Sequence, residues 1–375
     1  MNTAPAPSRS ELKTDQLFVN LGPQHPSTHG VLRVGLTIEG EIIVKAEPDI
    51  GYLHRGIEKL CETRSYGQCI VLSDRLDYCS AMTNNLAFCL AAEKLLGVHA
   101  PQRADALRVA MCELQRIASH LILLGTYGID IGAFTPFLYA FREREMVMDL
   151  FEMVSGARLT YNYIRIGGVR ADVDAQWVAR TREFLEYFKP RLDEYDTLLS
   201  YNPIFIDRTR GVGVISAEKA ADYGLSGPNL RASGPAYDAR RAEPHCGYEK
   251  YPFDVITAES GDCWDRYHCR VREMRQSVRI LEAVLDGLPG GEILAKVPKI
   301  VKPAPGESYA HVEGARGDLG VYLVSDGGPN PFRAHVRAPS FLNLSILQEI
   351  FLGQRMADAI AILGSLDIVL GEVDR

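Results

Sequence analysis

Three stretches of the 375-residue sequence gather side chains able to move protons. The first, Gly22-Pro23-Gln24-His25-Pro26-Ser27-Thr28-His29-Gly30, carries two imidazoles in a His-x3-His arrangement. On a helix that spacing would present two metal ligands on one face. Pro26, however, biases His25 away from helical dihedrals and Gly30 follows at once, so the stretch predicts a tight loop leading into a strand at Val31. On such a loop the imidazoles are either hydrogen-bonded surface groups or agents of proton exchange near neutral pH.

The second stretch runs from Gly51-Tyr52-Leu53-His54-Arg55-Gly56-Ile57-Glu58-Lys59-Leu60 to Ser73-Asp74-Arg75-Leu76-Asp77-Tyr78. Its charges and aromatics alternate without amphipathic segregation. Surface ion pairs such as Arg55 with Glu58, of little worth for stability, are one reading. The other is a polar site lined by Tyr78, whose hydroxyl donates a hydrogen bond while its ring packs on an apolar ligand. The third stretch, Gly128-Ile129-Asp130-Ile131-Gly132-Ala133, sets an acid in an apolar run. A buried carboxylate is costly unless paired, so Asp130 needs a partner, and a histidine from elsewhere in the fold is a natural one. Asp130 as a helix cap is the alternative, although Thr135 is better placed for that.

Three Arg-rich clusters, Arg165–Arg170, Glu313–Asp318 and Arg333–Pro339, read as structural guanidinium sites. No G-x-x-x-x-G-K-[ST] loop, strand-linked G-x-G-x-x-G or Gly-x-Ser-x-Gly elbow is present.

These stretches must be positioned by a mainly helical scaffold. Period-2 apolarity at Leu32, Val34, Leu36 and Ile38, a turn at Glu39-Gly40, and then Ile42 and Val44 predict a β-hairpin. A second hairpin is expected from Leu319–Val324 and Arg333–Arg337, and the two could share one small sheet. Between them, Leu107, Met111, Leu114, Ala118 and Leu121 follow helical spacing up to an expected stop at Gly125. Thr135-Pro136 predicts a cap and first turn for a helix ending before Gly156. Further helices are expected over 80–96, from a cap at Asp172 through Leu199, over 261–288, and over 340–363. Gly224–Pro252, rich in glycine and proline, should hold little regular structure yet still bury Leu230, Tyr237, Tyr248, Tyr251 and Phe253.

Composition bounds the function. Lys and Arg total 41 against 48 Asp and Glu, a formal charge of −7 that argues against nucleic acid as the main partner. No apolar run approaches the roughly 18 residues that cross a bilayer. The nearest, Leu121–Phe134 and Ala357–Leu370, contain Asp130 and Asp367. Residues 1–15 lack the apolar centre of a secretory signal and read as a flexible tail. None of the eight cysteines forms a C-x-x-C pair, so reduced and mostly buried thiols are expected rather than a zinc site or an iron–sulfur cluster.

Taken together, the segments GPQHPSTHGVLR (22–33), DIGYLHRGIEKL (49–60), SDRLDY (73–78), DIGAFTP (130–136), VSGARLTYNYIRIGGV (154–169) and GSLDIVLGEVDR (364–375) closely resemble the D-subunit family of the proton-pumping NADH–quinone oxidoreductases, respiratory complex I. The likeness runs from about Leu17 to Arg375. It implies a nickel–iron hydrogenase large-subunit-like helical bundle with small β regions, residues 16–375 forming a single domain. In hydrogenases two C-x-x-C pairs hold the metal centre; here Cys69 stands alone, so the resemblance implies that the metal cavity has become room for an organic substrate. An active hydrogenase large subunit and a non-catalytic scaffold are the alternatives.

The resemblance further implies a quinone headgroup bound between this chain and a small iron–sulfur subunit, with His29 and Tyr78 beside the quinone and Asp130 as the partner of His29. No metal or cofactor is expected in the chain itself. Electrons would come from a [4Fe–4S] cluster in that iron–sulfur partner, the B-subunit of the complex. The C- and I-subunits and the membrane-embedded H-subunit are implied as further partners. The implied location is the cytoplasmic face of the cell membrane, held there through those partners.

Overall fold

The period-2 stretch around Leu36 folds as a strand because Leu32, Val34, Leu36 and Ile38 are all buried, while Arg33 and Thr37 are only part-buried, Glu39 is exposed and Gly35 is covered by the Phe18 ring. In the computed structural model, which describes residues 15–23 and 30–375, this strand is the centre of a three-stranded antiparallel sheet. Its members are β1 (Gln16–Leu21), β2 (Arg33–Glu39) and β3 (Ile42–Asp49), paired in that order. His25, His29 and all of the expected tail except Asp15 lie outside the described residues.

Next come the short helices α1 (Ile57–Glu62) and α2 (Tyr66–Ser73), and then α3 (Ala81–Leu96), which ends on Gly97 in the left-handed conformation. Helix α4 (Gln102–Asp130) is the longest and is buried along most of its length. It packs on α5 (Thr135–Ser155) and on α11 (Cys263–Asp286). Between those two lie a two-stranded ribbon, β4 (Ile164–Arg165) and β5 (Gly168–Val169), and the helix α6 (Ala175–Tyr195). The short helices α7 (Pro203–Thr209), α8 (Ala217–Asp222), α9 (Pro228–Arg231) and α10 (Ala239–Ala242) follow. As expected, Gly224–Pro252 holds only one-turn pieces; of the apolar residues expected to be buried there, Tyr248 and Phe253 are, whereas Leu230, Tyr237 and Tyr251 are half-buried. A second antiparallel sheet, β6 (Gly306–Glu313), β7 (Asp318–Ser325) and β8 (Arg333–Arg337), precedes α12 (Pro339–Ser345), α13 (Leu347–Phe351), α14 (Met356–Leu366) and α15 (Leu370–Asp374). The architecture is mainly α-helical with small antiparallel β regions.

Several expectations are corrected. The two β regions do not join; each is its own three-stranded sheet, completed by β1 and β6. Helix α4 does not stop at Gly125. A Cβ there would lie 3.2 Å from the Phe137 Cα, and one at Gly128 would lie 3.1 Å from the Ala133 carbonyl oxygen, so both glycines let α4 and α5 approach closely instead of ending a helix. Thr135 sits inside α5, with Phe134 preceding it in helical dihedrals. The cap of α6 is Asp174, which accepts from the Trp177 N–H, while Asp172 accepts from Arg103. The expected 340–363 helix is three helices. The break between α13 and α14 follows from β3: Gly353 N donates to Ile43 O, Ile43 N to Gln354 O and Met356 N to Glu41 O, each at 2.9 Å, so strand pairing outcompetes helix continuation.

Candidate functional site

Tyr78 lies in the segment between α2 and α3, half-buried, and its position is set by the C-terminal chain. A Cβ on Gly371 would fall 2.6 Å from Leu76 O, 3.1 Å from Arg55 Nη2 and 3.1 Å from Tyr78 Cε1. Only a hydrogen fits there, so α15 presses its backbone onto the tyrosine ring. Arg55 closes the same point, donating from Nη2 to Gly371 O at 3.0 Å and to Arg75 O at 2.5 Å. The anticipated Arg55–Glu58 ion pair is therefore not formed. Glu58 instead takes Arg333 at 2.9 Å, His335 at 3.1 Å and the Val336 N–H at 3.0 Å. Burial raises the Tyr78 phenol above its ordinary value, helped by Cys79 and Asp77 and opposed by the Arg316 and Arg55 cations. Tyr78 is thus a neutral donor at physiological pH, with cationic charge nearby to steady it if it loses its proton.

The same C-terminal segment reaches the other predicted positions. Asp130, at the last turn of α4, places a carboxylate oxygen 3.1 Å from where a Gly364 Cβ would be, near the end of α14. Gly30, the residue after His29, packs on Leu370, whose Cδ1 would lie 3.4 Å from a Cβ at that glycine. Tyr78, Asp130 and Gly30 are therefore all gathered on residues 364–371. His29 itself, and with it any pairing to Asp130, lies outside the described residues.

Behind Tyr78 sits a buried charge cluster. Arg316 donates to Asp77 at 3.0 Å, to Asp367 at 3.2 Å and to Ser119. Arg270 lies 3.4 Å from Asp367 and donates to the Ser365 and Leu366 carbonyls. Burial works against the Arg316 charge, but Asp367 and Asp77 outweigh it and hold the guanidinium cationic. These residues are wholly buried. From sequence, Arg316 reads as structural, and neither Asp77 nor Asp367 stands out as part of a site. Their one visible signal is an acid in an apolar setting, Leu76-Asp77 and Leu366-Asp367-Ile368.

His54 Nδ1 donates to Asp374 O, 2.7 Å away, and the Asp374 carboxylate takes the Gly51 and Leu53 N–H groups. An open cavity of about 460 Å³ borders this joint, lined by Ile50, His54, Glu58, His335 and Phe341 among others. All eight cysteines are free, six of them buried. Among the described residues they do not gather with His, Asp or Glu into a group of three or more able to hold a metal ion.

The chain matches the family described as respiratory-chain NADH dehydrogenase, 49 Kd subunit, over residues 130–305 and 299–375. It is 53% identical over 363 residues to the NADH-quinone oxidoreductase D-subunit of Desulforamulus reducens, covering 97% of this chain and 99% of that protein. The chain belongs to this family. The D-subunit proteins of Carboxydothermus hydrogenoformans and Dehalococcoides mccartyi, 49% and 52% identical, are each matched over 97% of this chain and their full length. Membership makes the chain one subunit of an oxidoreductase complex, which acts together with partner subunits. It also gives the C-terminal segment a context: the residues that gather Tyr78 and Asp130 lie inside the second matched region. No helix among the described residues is long and apolar enough to cross a membrane.

Proposed function

We propose that this chain forms the quinone headgroup site of an NADH–quinone oxidoreductase and supplies protons for the two-electron reduction of the quinone. The observation that carries the reading is the packing of Gly371 on Tyr78, together with Asp130 at Gly364 and Gly30 at Leu370. One short segment collects a phenol, a carboxylate and Gly30, the residue that follows His29 in sequence.

Tyr78 donates a hydrogen bond to one quinone carbonyl and His29 to the other. As negative charge builds on the two oxygens, each side chain passes its proton across. Asp130 orients His29 and favours its protonated form. The electrons come from a [4Fe–4S] cluster of a partner subunit, since the spacing of the cysteines in this chain gives no cluster motif. Loss of the His29–Asp130 charge pair on reduction is a local event that a bistable element can convert into distant proton pumping.

In this reading residues 16–375 act as one hydrogenase-large-subunit-like domain. The iron–sulfur partner is the B-subunit, with the C- and I-subunits alongside and the H-subunit in the membrane. The chain sits on the cytoplasmic face of the cell membrane, held by those contacts.

The test is quinone reduction by the assembled complex carrying Tyr78→Phe or His29→Ala, with NADH oxidation by an artificial acceptor as the control for assembly. The reading expects quinone reduction to fall by about 10²-fold or more in each while the control holds. Full quinone reduction in both variants refutes the proton-donor roles and leaves a scaffold.

A further inference from the structure

Next to Gly371 stands Glu372, a carboxylic acid buried to 1% exposure that the proposed proton donors do not include. Its Oε2 accepts from Ser340 Oγ at 2.7 Å, and Ser340 is itself fully buried at the start of α12. The surrounding charges can be counted. Two guanidinium groups, Arg316 and Arg270, are matched by two carboxylates, Asp77 and Asp367, at 3.0 to 3.4 Å. Glu372 is the third carboxylate of this neighbourhood, and among the described residues it makes no ion pair. The other charges facing α15 are taken. Arg55 spans Gly371 and Arg75 carbonyls, Asp374 holds two N–H groups, and Arg375 donates to Val336 O and covers the Phe341 ring. An unpaired carboxylate in such surroundings is strongly disfavoured, so the neutral acid is the favoured form. Burial, then the nearby Asp77 charge, push its carboxyl up to about 8, against the opposing pull of Ser340 and Arg316. A protonated acid therefore stands one residue from the glycine that touches the Tyr78 ring.

We infer that Glu372 is the proton store that reloads Tyr78 after each turnover. The inference rests on the reading of Tyr78 as a proton donor to quinone. In balance, the Tyr78 O–H bond breaks as its proton passes to the reduced quinone oxygen, leaving a phenolate. The Glu372 O–H bond then breaks and the Tyr78 O–H bond re-forms, leaving a carboxylate that takes its next proton from water. No electrons move in the reloading step. Glu372 acts through Tyr78 and touches no substrate; Ser340 tunes the ease with which it lets its proton go.

The experiment is the pH dependence of quinone reduction by the assembled complex, with four variants. The wild type is expected to lose rate on the alkaline side as Glu372 deprotonates. Glu372→Gln, which keeps shape but holds no exchangeable acid, lowers the rate by about tenfold or more and removes that alkaline limb. Glu372→Asp restores part of the rate and brings the limb back. Ser340→Ala removes a hydrogen bond that favours the carboxylate, so the limb moves to higher pH. The serine variant keeps the proposal testable if Glu372→Gln fails to assemble. Wild-type rate and profile in an assembled Glu372→Gln complex overturn the inference, as does an unmoved limb in Ser340→Ala. Tyr78→Phe separates the two claims: if it retains full rate, the tyrosine reading fails, whereas if it loses rate while Glu372→Gln does not, only the store fails.

Discussion

Tyr78 and Gly371 meet across most of the chain, so closely that a methyl group on the glycine would fall 3.1 Å from the ring Cε1 and 2.6 Å from the carbonyl oxygen of Leu76, two residues before the tyrosine. The contact bears on the tyrosine ring, and the donation of Arg55 to Gly371 O holds the α15 backbone in place. A general acid must be held within fractions of an ångström of its target, and this packing suits Tyr78 to the proton-donor role proposed for it.

Gly371→Ala should therefore injure the site directly. Its Cβ meets the Leu76 carbonyl, which is backbone and cannot swing away, so α15 must shift. Overpacking of this kind costs about 1–3 kcal/mol. The expected outcome is an assembled complex with slowed quinone reduction and an altered KM for quinone, measured beside an unchanged artificial-acceptor rate.

Asp130→Asn preserves shape but removes the charge proposed to favour protonated His29. Quinone reduction should fall by about tenfold or more, and the loss should deepen with rising pH because the imidazole then gives up its proton earlier. Steady-state rates across a pH series check this.

Arg316 joins Asp77, which precedes Tyr78, to Asp367 between α14 and α15. Arg316→Met leaves the buried Asp77 without its cation and takes one of two cations from Asp367, which keeps Arg270, a loss of about 3–5 kcal/mol. The expected result is a lower melting temperature or failed assembly, read by thermal denaturation and by the yield of intact complex. Arg316→Lys should recover only part of the loss, because an ammonium cannot fork between two acids as the guanidinium does.

Burial pushes the Asp74 carboxyl up to about 7 from an ordinary 3.8. The folded state then binds a proton more tightly than the unfolded state, so this group's contribution to stability is present at low pH. It is lost as pH rises from about 4 to about 7, with a slope of up to about 1.4 kcal/mol per pH unit. Asp74→Asn should flatten that decline and raise thermal stability more at pH 8 than at pH 4.

How far sequence carries this picture depends on whether a signal is local. The hairpin at Leu32–Val44, the ends of α3 at Gly97 and of α5 at Gly156, and the span of α11 follow from nearby periodicity and caps, and they fold as read. Gly125 misleads because a glycine used for contact looks the same as one used to stop; which it is depends on Phe137 lying opposite. The break after Phe351 is invisible in sequence because its cause, the edge of β3, is distant in the chain. At the site, Tyr78 and Asp130 are legible as residue types, and the roles proposed for them come from the resemblance. Gly371 and Glu372 do not stand out, because their part comes only from what the C-terminal helices meet in three dimensions. Arg55 pairs on paper with Glu58, a near acid in sequence, but backbone carbonyls outcompete it.

The most direct test is a structure of the assembled complex with a quinone bound, read for the distance from Tyr78 Oη to the nearer quinone carbonyl oxygen. The account predicts a hydrogen bond, about 2.5–3.0 Å, with His29 at the opposite carbonyl and Asp130 on the far side of that imidazole. A headgroup seated in a cavity that neither Tyr78 nor His29 lines contradicts it.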